Sequence, residues 1–299
     1  MNADSFGFGE DECANAETLI GMALVEDLGA DARVDADLTG RSIIPPAAQG
    51  SAMIRSRSEG VIAGIPVVEM LCDRLQVKNR VLIRDGQTAL PGQPVMFLWG
   101  SMRALLALER TALNFLQRLS GVATLTSRFV SEIVGTQAAI FDTRKTTPGW
   151  RFLEKYAVRC GGGRNHRIGL YDAVLIKDNH LAWLAREADP IGRAIADARR
   201  NAPNAKFLEV EVDSLDQLDR ALQCAPDIVL LDNLGPESLV EAVRRRDRIS
   251  PKILLEASGG VTLLTVRRLA IAGVNRISVG ALTHSAPALD LGLDYEETR

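Results

Sequence analysis

The stretch FLEVEVDSLDQLDRALQCAPDIVLLDN, residues 207–233, contains the pattern that decides the fold. It begins with the apolar run Phe207–Val212 and ends with a second run, Ile228–Leu231. Between them, Leu215–Gln223 carries apolar residues at helical spacing. Short, nearly continuous apolar runs are typical of strands covered on both faces, and a helix between two such runs serves as a crossover. The stretch therefore predicts a β–α–β unit with parallel strands.

The same alternation extends along the chain from residue 138 to residue 279. The apolar runs are Ala138–Phe141, Ala173–Ile176, Phe207–Val212, Ile228–Leu231, Ile253–Leu255 and Ile277–Val279. The predicted helices between them are Pro190–Asn201, Leu215–Gln223, Pro236–Arg246 and Leu263–Ala272. We expect one more strand around Tyr156–Arg167. This repeat predicts a β/α barrel, with an open doubly wound sheet as the second choice.

The first part of the chain has a different pattern. After a loose polar lead-in over residues 1–15, we expect a helix from Glu17 to Leu28 with Gly29 as its C-cap. Further predicted elements are strands at Met53–Arg55, Val81–Arg84 and Val95–Trp99 and a helix at Val67–Leu75. A long helical pattern, Met102–Val134, is expected to form two helices broken near Ser120–Gly121. The pattern indicates an α+β module with an antiparallel sheet.

Composition excludes several classes of protein. The 299 residues include 35 Lys+Arg and 38 Asp+Glu, a net charge of −3, which argues against a generally basic surface for nucleic acid. No apolar stretch approaches the roughly 18 residues that a membrane span needs. Since the first basic residue is Arg33, we expect no secretory or mitochondrial targeting signal. The four scattered cysteines have no zinc or redox spacing, so we expect reduced thiols and a cytoplasmic protein.

Charged residues and glycines lie near, or directly after, the carboxyl ends of the predicted strands. These segments are Asp142-Thr-Arg-Lys145, Lys177-Asp-Asn-His180, Glu209-Val-Glu211, Asp232-Asn233, Glu256-Ala-Ser-Gly-Gly260 and Gly280-Ala281. Loops are polar in most proteins, but they rarely place so many charged residues directly against strand ends. In a β/α barrel the carboxyl ends of the strands form the face that carries the active site. We therefore predict that these segments form the mouth of an active site.

The residue types at this mouth indicate anionic substrates. Clustered cations need an anionic ligand because burying unpaired charge is costly, and two nearby acids suit Mg²⁺ held together with phosphate oxygens. Glycines after the last two strands suit a phosphate cradle, although such a glycine is often only a turn and such an acid often caps a helix. The expected cations are Arg144, Lys145, Arg167 and Lys177 with His166 and His180, the expected acids are Glu211 and Asp232, and the cradle is Ser258-Gly259-Gly260 with Gly280-Ala281. The set predicts a Mg²⁺–phosphate substrate and a carboxylate-bearing second substrate.

An ordered set of motifs resembles the quinolinate phosphoribosyltransferase family from about residue 16 to about residue 294. The motifs are Glu109-Arg-Thr-Ala-Leu-Asn-Phe-Leu116 with Leu119-Ser-Gly121, Asp142-Thr-Arg-Lys-Thr-Thr-Pro148, Gly161-Gly-Gly-Arg-Asn-His-Arg167, Ile176-Lys-Asp-Asn-His180, Leu230-Leu-Asp-Asn233, Glu256-Ala-Ser-Gly-Gly260 and Ile277-Ser-Val-Gly-Ala-Leu-Thr-His284. Motifs in this order are highly specific. The sequence departs from the family pattern at Ala30–Ala36, which precedes Asp37-Leu-Thr39. That departure concerns a loop of the first domain and leaves the predicted mouth unchanged.

The resemblance implies an architecture of two domains. The first is an open-faced α/β sandwich over residues 1–114, with residues 285–299 packing on it. The second is an incomplete, about seven-stranded β/α barrel over residues 115–284, which is the catalytic domain. The family resemblance also implies a homodimer or hexamer in which Arg110 reaches the neighbouring subunit's site.

The resemblance implies that quinolinate and phosphoribosyl pyrophosphate react to give nicotinate mononucleotide, pyrophosphate and CO₂, a step of NAD biosynthesis. Residues carried over for quinolinate are Arg110, Arg144, His166, Arg167 and Lys177. Those for phosphoribosyl pyrophosphate are Lys145, Glu211, Asp232, Ser258, Gly259, Gly260, Gly280 and His284. Glu211 and Asp232 are expected to hold Mg²⁺, the expected cofactor, and Lys145, Lys177, Glu211 and Asp232 to act nearest the reaction. No nucleic-acid or membrane partner is expected.

Two other kinds of protein remain alternatives. One is a related enzyme on the same scaffold, either a nicotinate-type phosphoribosyltransferase or the molybdenum-transport-associated relative. A substrate with one carboxylate would need fewer clustered cations, which disfavours the nicotinate enzyme. The other alternative is a non-catalytic phosphate-binding protein, which the presence of every matched mouth residue disfavours.

Overall fold

The structure, a computed structural model, describes residues 6–296. Its helices are α1 (Glu10–Leu28), α2 (Leu38–Ile43), α3 (Ile65–Leu75), α4 (Met102–Glu132), α5 (Arg151–Cys160), α6 (Asp178–Trp183), α7 (Pro190–Asn201), α8 (Leu215–Cys224), α9 (Pro236–Ile249), α10 (Leu263–Ile271) and α11 (Ala281–His284). Its strands are β1 (Gln49–Ser56), β2 (Gly60–Val61), β3 (Lys78–Val81), β4 (Thr88–Ala89), β5 (Pro94–Ser101), β6 (Ala139–Phe141), β7 (Val174–Ile176), β8 (Leu208–Val212), β9 (Ile228–Asp232), β10 (Leu254–Ser258), β11 (Arg276–Ser278) and β12 (Leu291–Glu296). Residues 1–5 of the predicted lead-in and residues 297–299 of the predicted packing segment lie outside the described range.

The described chain forms two compact units. The first unit contains residues 6–127, 146–162 and 281–296, and the second unit contains residues 128–145 and 163–280. The first change of unit therefore falls inside α4. The predicted domain limits at residues 114 and 284 stay predictions.

The first unit contains the expected antiparallel sheet, with strand order β12-β1-β5-β3, and a separate β2–β4 pair. The predicted strand Val81–Arg84 is displaced, because β3 pairs with β5 from Lys78 to Val81 and no further. Beyond Val81, the N–H groups of Leu82 and Ile83 both donate to the carbonyl of Val95, which ends the regular ladder. Helix α1 starts at Glu10, within the stretch that the sequence indicated as a loose lead-in.

Helix α4 is continuous from Met102 to Glu132, so the predicted break near Ser120–Gly121 is wrong. Ser120 is fully buried and its hydroxyl bonds to Ala63, accepting from the N–H and donating to the carbonyl. A Cβ on Gly121 would lie 2.1 Å from the carbonyl oxygen of Pro287. These two small residues therefore allow other segments of the first unit to approach the helix closely, and they do not terminate it.

The second unit confirms the predicted parallel sheet with helices between its strands. Its strand order is β6-β11-β10-β9-β8-β7, in which β6, first in the chain, lies next to β11, the last of the six. This cyclic order is that of an incomplete barrel open between β6 and β7. The expected seventh strand around Tyr156–Arg167 does not form, because residues 151–160 are α5 and only Arg164 makes a β-bridge, to Phe141.

Strand alternation assigns side chains to the inner face of this sheet. Four residues on four neighbouring strands pair in one row across the sheet. Glu211 on β8 pairs with Leu230 on β9, Leu230 pairs with Glu256 on β10, and Glu256 pairs with Arg276 on β11. Residues paired across neighbouring strands share a face, and residues two apart on one strand share it too. The inner face therefore carries two successive levels of polar side chains, with Glu211, Asp232 and Ser258 nearest the carboxyl ends. No helix in residues 6–296 combines the length and the apolar character that crossing a bilayer requires.

Candidate active site

The second unit brings together most of the residues that the sequence predicted for the site. Each follows, or lies near, the carboxyl end of a strand of the six-stranded sheet or of the Arg164 bridge. Arg110, Ala281 and His284 are the exceptions, since all three belong to the first unit. The residues brought together are Arg144, Lys145, His166, Arg167, Lys177, Glu211, Asp232, Ser258, Gly259, Gly260 and Gly280.

Arg144 and Arg167 place two guanidinium groups at this mouth. Burial lowers the pKa of Arg167, and the neighbouring positive charge of Arg144 lowers it further. Arg167 is only 7% exposed, and its Nη1 donates to the carbonyl of Ala173 at 3.1 Å. Two cations that repel each other in a partly buried setting are stabilised by an anion between them, and guanidinium geometry favours carboxylate or phosphate.

The segment that carries Arg167 is fastened to β6 by Asp142. The fully buried Asp142 accepts from the backbone N–H of His166 at 2.8 Å and from the side-chain amide of Asn165 at 2.7 Å. The backbone of Arg164 exchanges hydrogen bonds with both neighbours of Phe141, accepting from Asp142 and donating to Ile140. These contacts fix the segment directly before Arg167, so the backbone that carries the Arg167 side chain is held in place.

Two acids lie at the ends of neighbouring strands. Glu211 forms an ion pair with Lys177, with Nζ 3.1 Å from Oε2, and Asp232 accepts from the side-chain amide of Asn233 at 2.8 Å. This donor set fits Mg²⁺, a hard ion that takes one or two carboxylates beside substrate oxygens and water. Lys145 is exposed, and its N–H donates to the Thr143 hydroxyl at 3.0 Å.

The loop after β10 has the backbone geometry of a cradle. Gly259 and Gly260 adopt φ of +97° and +57°, and a Cβ on Gly259 would lie 2.1 Å from Oδ1 of Asn233. Asn233 itself has φ +53°, and its N–H donates to the carbonyl of Ser258 at 2.9 Å. The glycine is therefore required for close approach, and Asn233 connects this loop to Asp232. Helix α10 begins three residues after Gly260.

His166 is placed differently from the other predicted substrate ligands. It is 8% exposed, and its Nε2 faces two fully buried carboxylates, 2.9 Å from Glu209 and 3.5 Å from Glu256. Burial by itself would lower the pKa of His166, but the hydrogen bonds and charges of the two carboxylates raise it to about 9. The N–H of Arg167 donates to Nδ1 at 2.8 Å, so the ring proton lies on Nε2, which faces the carboxylates. A second proton on Nδ1 would break this contact, so the contact opposes the rise in pKa that the two carboxylates cause.

Sequence reasoning placed Glu209 and Glu256 in segments of the predicted mouth without giving them a role, and it missed Arg276 altogether. Arg276 Nε lies 2.5 Å from Glu256, and its guanidinium carbon lies 3.9 Å from the centroid of the Phe141 ring. Glu209 lies inside the apolar run Phe207–Val212, which is an unusual place for a charge, and Glu256 directly follows the run Ile253–Leu255. Arg276 gave no such signal, because it precedes its apolar run and resembles an ordinary loop residue.

Arg110 and His284 occupy exposed positions in the first unit. Arg110 lines a cavity of about 260 Å³ with Glu26, Asp27 and Trp150 among its other walls. His284 is the last residue of α11, and its Nδ1 lies 2.6 Å from the Ser285 hydroxyl. Their predicted roles in substrate binding stay predictions.

The chain was compared with known protein families and structures. Residues 37–120 match the family model described as quinolinate phosphoribosyl transferase, N-terminal domain, and residues 122–294 match that of the C-terminal domain. The nicotinate-nucleotide pyrophosphorylase [carboxylating] of Mycobacterium leprae is 44% identical over 283 residues, which cover 93% of this chain and 96% of the relative. A probable enzyme of the same name from Bacillus subtilis is 40% identical over 280 residues, covering 92% of each chain.

Solved structures agree with the sequence comparisons. The nicotinate-nucleotide pyrophosphorylase from Francisella tularensis superposes with a TM-score of 0.87 at 35% identity, covering 99% of this chain and 100% of that one. Human nicotinic acid phosphoribosyltransferase superposes with a TM-score of 0.61 at 14% identity over 87% of this chain and 72% of that one, a likeness of fold alone. Because the two family models span nearly the whole chain and the relatives are close, the chain belongs to the quinolinate phosphoribosyltransferase family.

Proposed function

We propose that this chain is a carboxylating nicotinate-nucleotide pyrophosphorylase. It joins quinolinate to phosphoribosyl pyrophosphate and releases nicotinate mononucleotide, pyrophosphate and CO₂. The observation that carries the proposal is the pair of cations Arg144 and Arg167 at the mouth. Arg167 is 7% exposed, and burial and the charge of Arg144 lower its pKa although Glu209 and Asp172 partly oppose the shift, so a ligand with neighbouring negative charges would stabilise the pair. Quinolinate, with carboxylates on adjacent ring carbons, is such a ligand.

In this proposal Arg144, Arg167 and Lys177 together bind the two carboxylates of quinolinate. Arg144 and Arg167 supply planar guanidinium groups that can each hold a carboxylate with two hydrogen bonds. Lys177 supplies a compact charge at the same mouth, where its ion pair with Glu211 at 3.1 Å keeps it in place. Together they fix the orientation of the pyridine ring, and with it the direction in which the ring nitrogen points.

The acids and glycines of the mouth receive phosphoribosyl pyrophosphate. Glu211 and Asp232 would hold Mg²⁺, which when bound neutralises charge on the departing pyrophosphate. Lys145, Ser258 and the N–H groups around Gly259, Gly260 and Gly280 suit the phosphate oxygens, with His284 proposed near the 5′-phosphate. The positive φ values of Gly259 and Gly260 support this role, because successive glycines of this kind can turn backbone N–H groups toward an anion.

The reaction follows from these positions. The anomeric carbon of the ribose becomes positively charged as pyrophosphate leaves, and carboxylates fixed nearby stabilise that charge. Holding the pyridine nitrogen in line with this carbon supplies the proximity contribution to catalysis. Once the nitrogen bonds to ribose it is cationic, so the 2-carboxylate can depart as CO₂ while the ring accepts the electron pair. A proton then replaces CO₂ on the ring carbon, and no organic cofactor is required.

We also propose a homodimer or hexamer in which Arg110 of one subunit completes the quinolinate site of its neighbour. Its exposure and its place in a cavity wall of α4 support a contact with a second chain. The four free cysteines, none of them paired in the structure, support a reducing cytoplasmic setting.

Turnover measurements with two pyridine substrates test this function. The purified chain with Mg²⁺ and phosphoribosyl pyrophosphate should convert quinolinate to nicotinate mononucleotide and should leave nicotinate essentially unreacted. Turnover of nicotinate without quinolinate turnover would assign the chain to the nicotinate-type alternative. No nucleotide from either substrate would favour the non-catalytic alternative.

A further inference from the structure

A group of four ionisable residues lies beneath the mouth of the second unit and takes no part in the proposed reaction chemistry. Glu209 and Glu256 are 0% exposed, and His166 and Arg276 are each 8% exposed. The residues come from β8, β10 and β11 and from the segment after the Arg164 bridge. Burying so much charge in a sheet interior is costly unless the geometry is fixed, so the group calls for a functional explanation.

The contacts of the group form a chain that ends at Arg167. Arg276 Nε contacts Glu256 at 2.5 Å, Glu256 and Glu209 contact Nε2 of His166 at 3.5 and 2.9 Å, and Nδ1 of His166 accepts the N–H of Arg167 at 2.8 Å. Both ring nitrogens of His166 are thereby engaged within the protein. The imidazole thus connects the buried carboxylates to the backbone from which Arg167 projects.

Aromatic rings hold the group in place from the side. The guanidinium carbon of Arg276 lies 3.9 Å from the centroid of Phe141 and 5.5 Å from that of Phe207. The His166 ring meets Phe207 edge to face at a centroid distance of 5.4 Å. The imidazole is therefore positioned by the two carboxylates and the Phe207 ring, while Phe141 and Phe207 position the guanidinium of Arg276.

A resident metal ion is the obvious alternative, since one ligand atom each from His166, Glu209 and Glu256 lie within 4.8 Å of one another. Two features oppose it. The guanidinium of Arg276 already contacts Glu256, and the acceptor role of Nδ1 places the ring proton on Nε2, the nitrogen that a metal would need. The group supplies its own cations.

We propose that Glu209, Glu256 and Arg276 are positioning residues for quinolinate, which act through the His166 ring to fix the backbone and hence the side chain of Arg167. This inference rests on the proposed function and assigns His166 to orientation of Arg167. It predicts that disturbing the buried group weakens the use of quinolinate much more than the use of phosphoribosyl pyrophosphate.

Steady-state kinetics of Glu209→Met and Glu209→Gln test the proposal. Met removes the acceptor for Nε2–H, so KM for quinolinate should rise about tenfold or more, while KM for phosphoribosyl pyrophosphate stays within about twofold. Gln keeps an oxygen that can accept from Nε2–H, so it should restore most of the parental KM. In an Arg167→Ala background, adding Glu209→Met should change KM for quinolinate by less than about twofold, because both changes act through the same group.

Arg246→Gln is the matched control in the same unit. Arg246 is also buried, and its Nη1 donates to Ile253 and to Asn275, which lie at the amino ends of β10 and β11. This variant should lower Tm and leave both KM values unchanged. Should Glu209→Met not fold, Glu256→Gln, which keeps the side-chain shape and weakens the contact with Arg276, should raise KM for quinolinate selectively.

The outcomes separate the explanations. A lowered Tm with an unchanged KM for quinolinate would make the buried group merely structural, and an equal rise in both KM values would also overturn the proposal. Stoichiometric Zn²⁺ binding measured by calorimetry, present in the parent chain and lost in Glu209→Met, would identify a metal site instead. A parent chain without quinolinate turnover would refute the proposed function first, and this inference with it.

Discussion

Arg144 and Arg167 bring two like charges together where burial strengthens their repulsion. The pKa of Arg167 falls for both reasons, first through burial and then through the charge of Arg144. Such an arrangement is tolerated when a bound anion offsets the repulsion between the two cations, and a ligand with two adjacent carboxylates can do this. The specificity of the proposed site for quinolinate over nicotinate therefore depends on these two side chains.

Replacing Arg144 by alanine should impair quinolinate use specifically. A charge-assisted hydrogen bond contributes about 2–3 kcal/mol, so kcat/KM for quinolinate should fall about 30- to 150-fold. Arg144→Lys should be intermediate, because lysine keeps the charge and loses the planar pair of donors. The measurement is initial rates at varied quinolinate, and an unchanged kcat/KM in Arg144→Ala would refute the carboxylate clamp.

Gly259 gives a second prediction at the scale of single residues. A Cβ there would meet Oδ1 of Asn233 at 2.1 Å and would require φ near +97°, so Gly259→Ala should displace Asn233 and with it Asp232. We expect KM for phosphoribosyl pyrophosphate to rise at least about tenfold. Gly235→Ala, where nothing lies within 4 Å of the added Cβ, is the control and should keep the parental KM. Equal effects of the two substitutions would contradict the account.

The sequence identified the residues of the mouth better than those beneath it. Lys177 and Asp232 directly follow apolar runs, Arg144 follows one closely, and Glu211 lies near the end of one, so their location at strand ends could be predicted from position alone. The position of the His166 ring could not be predicted, because the sequence directly before it has no helical or strand periodicity. Arg276 was missed because only strand register shows that it faces inward.

At the scale of elements, α4 shows how a glycine can be misinterpreted. Ser120–Gly121 suggested a helix break, since glycine is a poor helix former. Because Gly121 has no side chain, the backbone at Pro287 can lie directly against the helix, although the two segments are far apart in the sequence. Such a contact overrides propensity and leaves no local signal.

Two glycine-to-alanine substitutions test this explanation by chemical unfolding. In Gly21→Ala, where α1 leaves open space around the new Cβ, stability should rise by about 0.5–1 kcal/mol. In Gly121→Ala the same helical gain should be outweighed by overlap with Pro287, for a net loss of about 1–3 kcal/mol. If Gly121→Ala were as stabilising as Gly21→Ala, the close approach at Pro287 would not explain this glycine.

The strands of the second unit were predictable because parallel strands covered on both faces read as apolar runs. The seventh strand expected around Tyr156–Arg167 does not form, because residues 151–160 are the helix α5. Leu153, Tyr156, Ala157 and Cys160 are buried along one face of α5, a helical spacing that the search for a further strand overlooked.

For the whole molecule, Asp85 couples folding stability to pH. Burial raises the pKa of Asp85 to about 6 from 3.8, although hydrogen bonds from Tyr156, Gly64 and Ile65 partly oppose the shift. Because the folded state holds this proton more tightly than the unfolded chain, the stabilisation is complete below pH 3.8 and is lost as pH rises through about 6.

The free energy of unfolding of the parent relative to Asp85→Asn should thus fall by up to about 3 kcal/mol between pH 4 and pH 7, at about 1.4 kcal/mol per pKa unit. Denaturant unfolding of both proteins at each pH across this range measures the difference in their free energies of unfolding. The contributions of the other titrating groups are common to both proteins and cancel in this difference. A difference that stays flat or rises with pH would show that Asp85 is not held protonated by burial.

Mixing two variants of strongly reduced activity tests whether Arg110 serves a neighbouring subunit. In a dimer of one Arg110→Ala chain and one Arg144→Ala chain, one site would carry both defects and the other would carry none. Random exchange at equal concentrations should restore about a quarter of parental activity. Arg144→Ala mixed with Arg167→Ala is the control and should restore nothing, since both defects lie in the same chain's site. No recovery in either mixture would place Arg110 outside the neighbour's site.

The most direct test of the central claim follows the fate of the 2-carboxylate. Quinolinate labelled at that carboxyl carbon is incubated with the parent chain, phosphoribosyl pyrophosphate and Mg²⁺, and labelled CO₂ and nicotinate mononucleotide are measured together. The account predicts one labelled CO₂ for each nicotinate mononucleotide, with both products formed more slowly and in the same one-to-one ratio in Arg144→Ala. A labelled nucleotide that retains its 2-carboxylate, or no nucleotide from quinolinate at all, would contradict it.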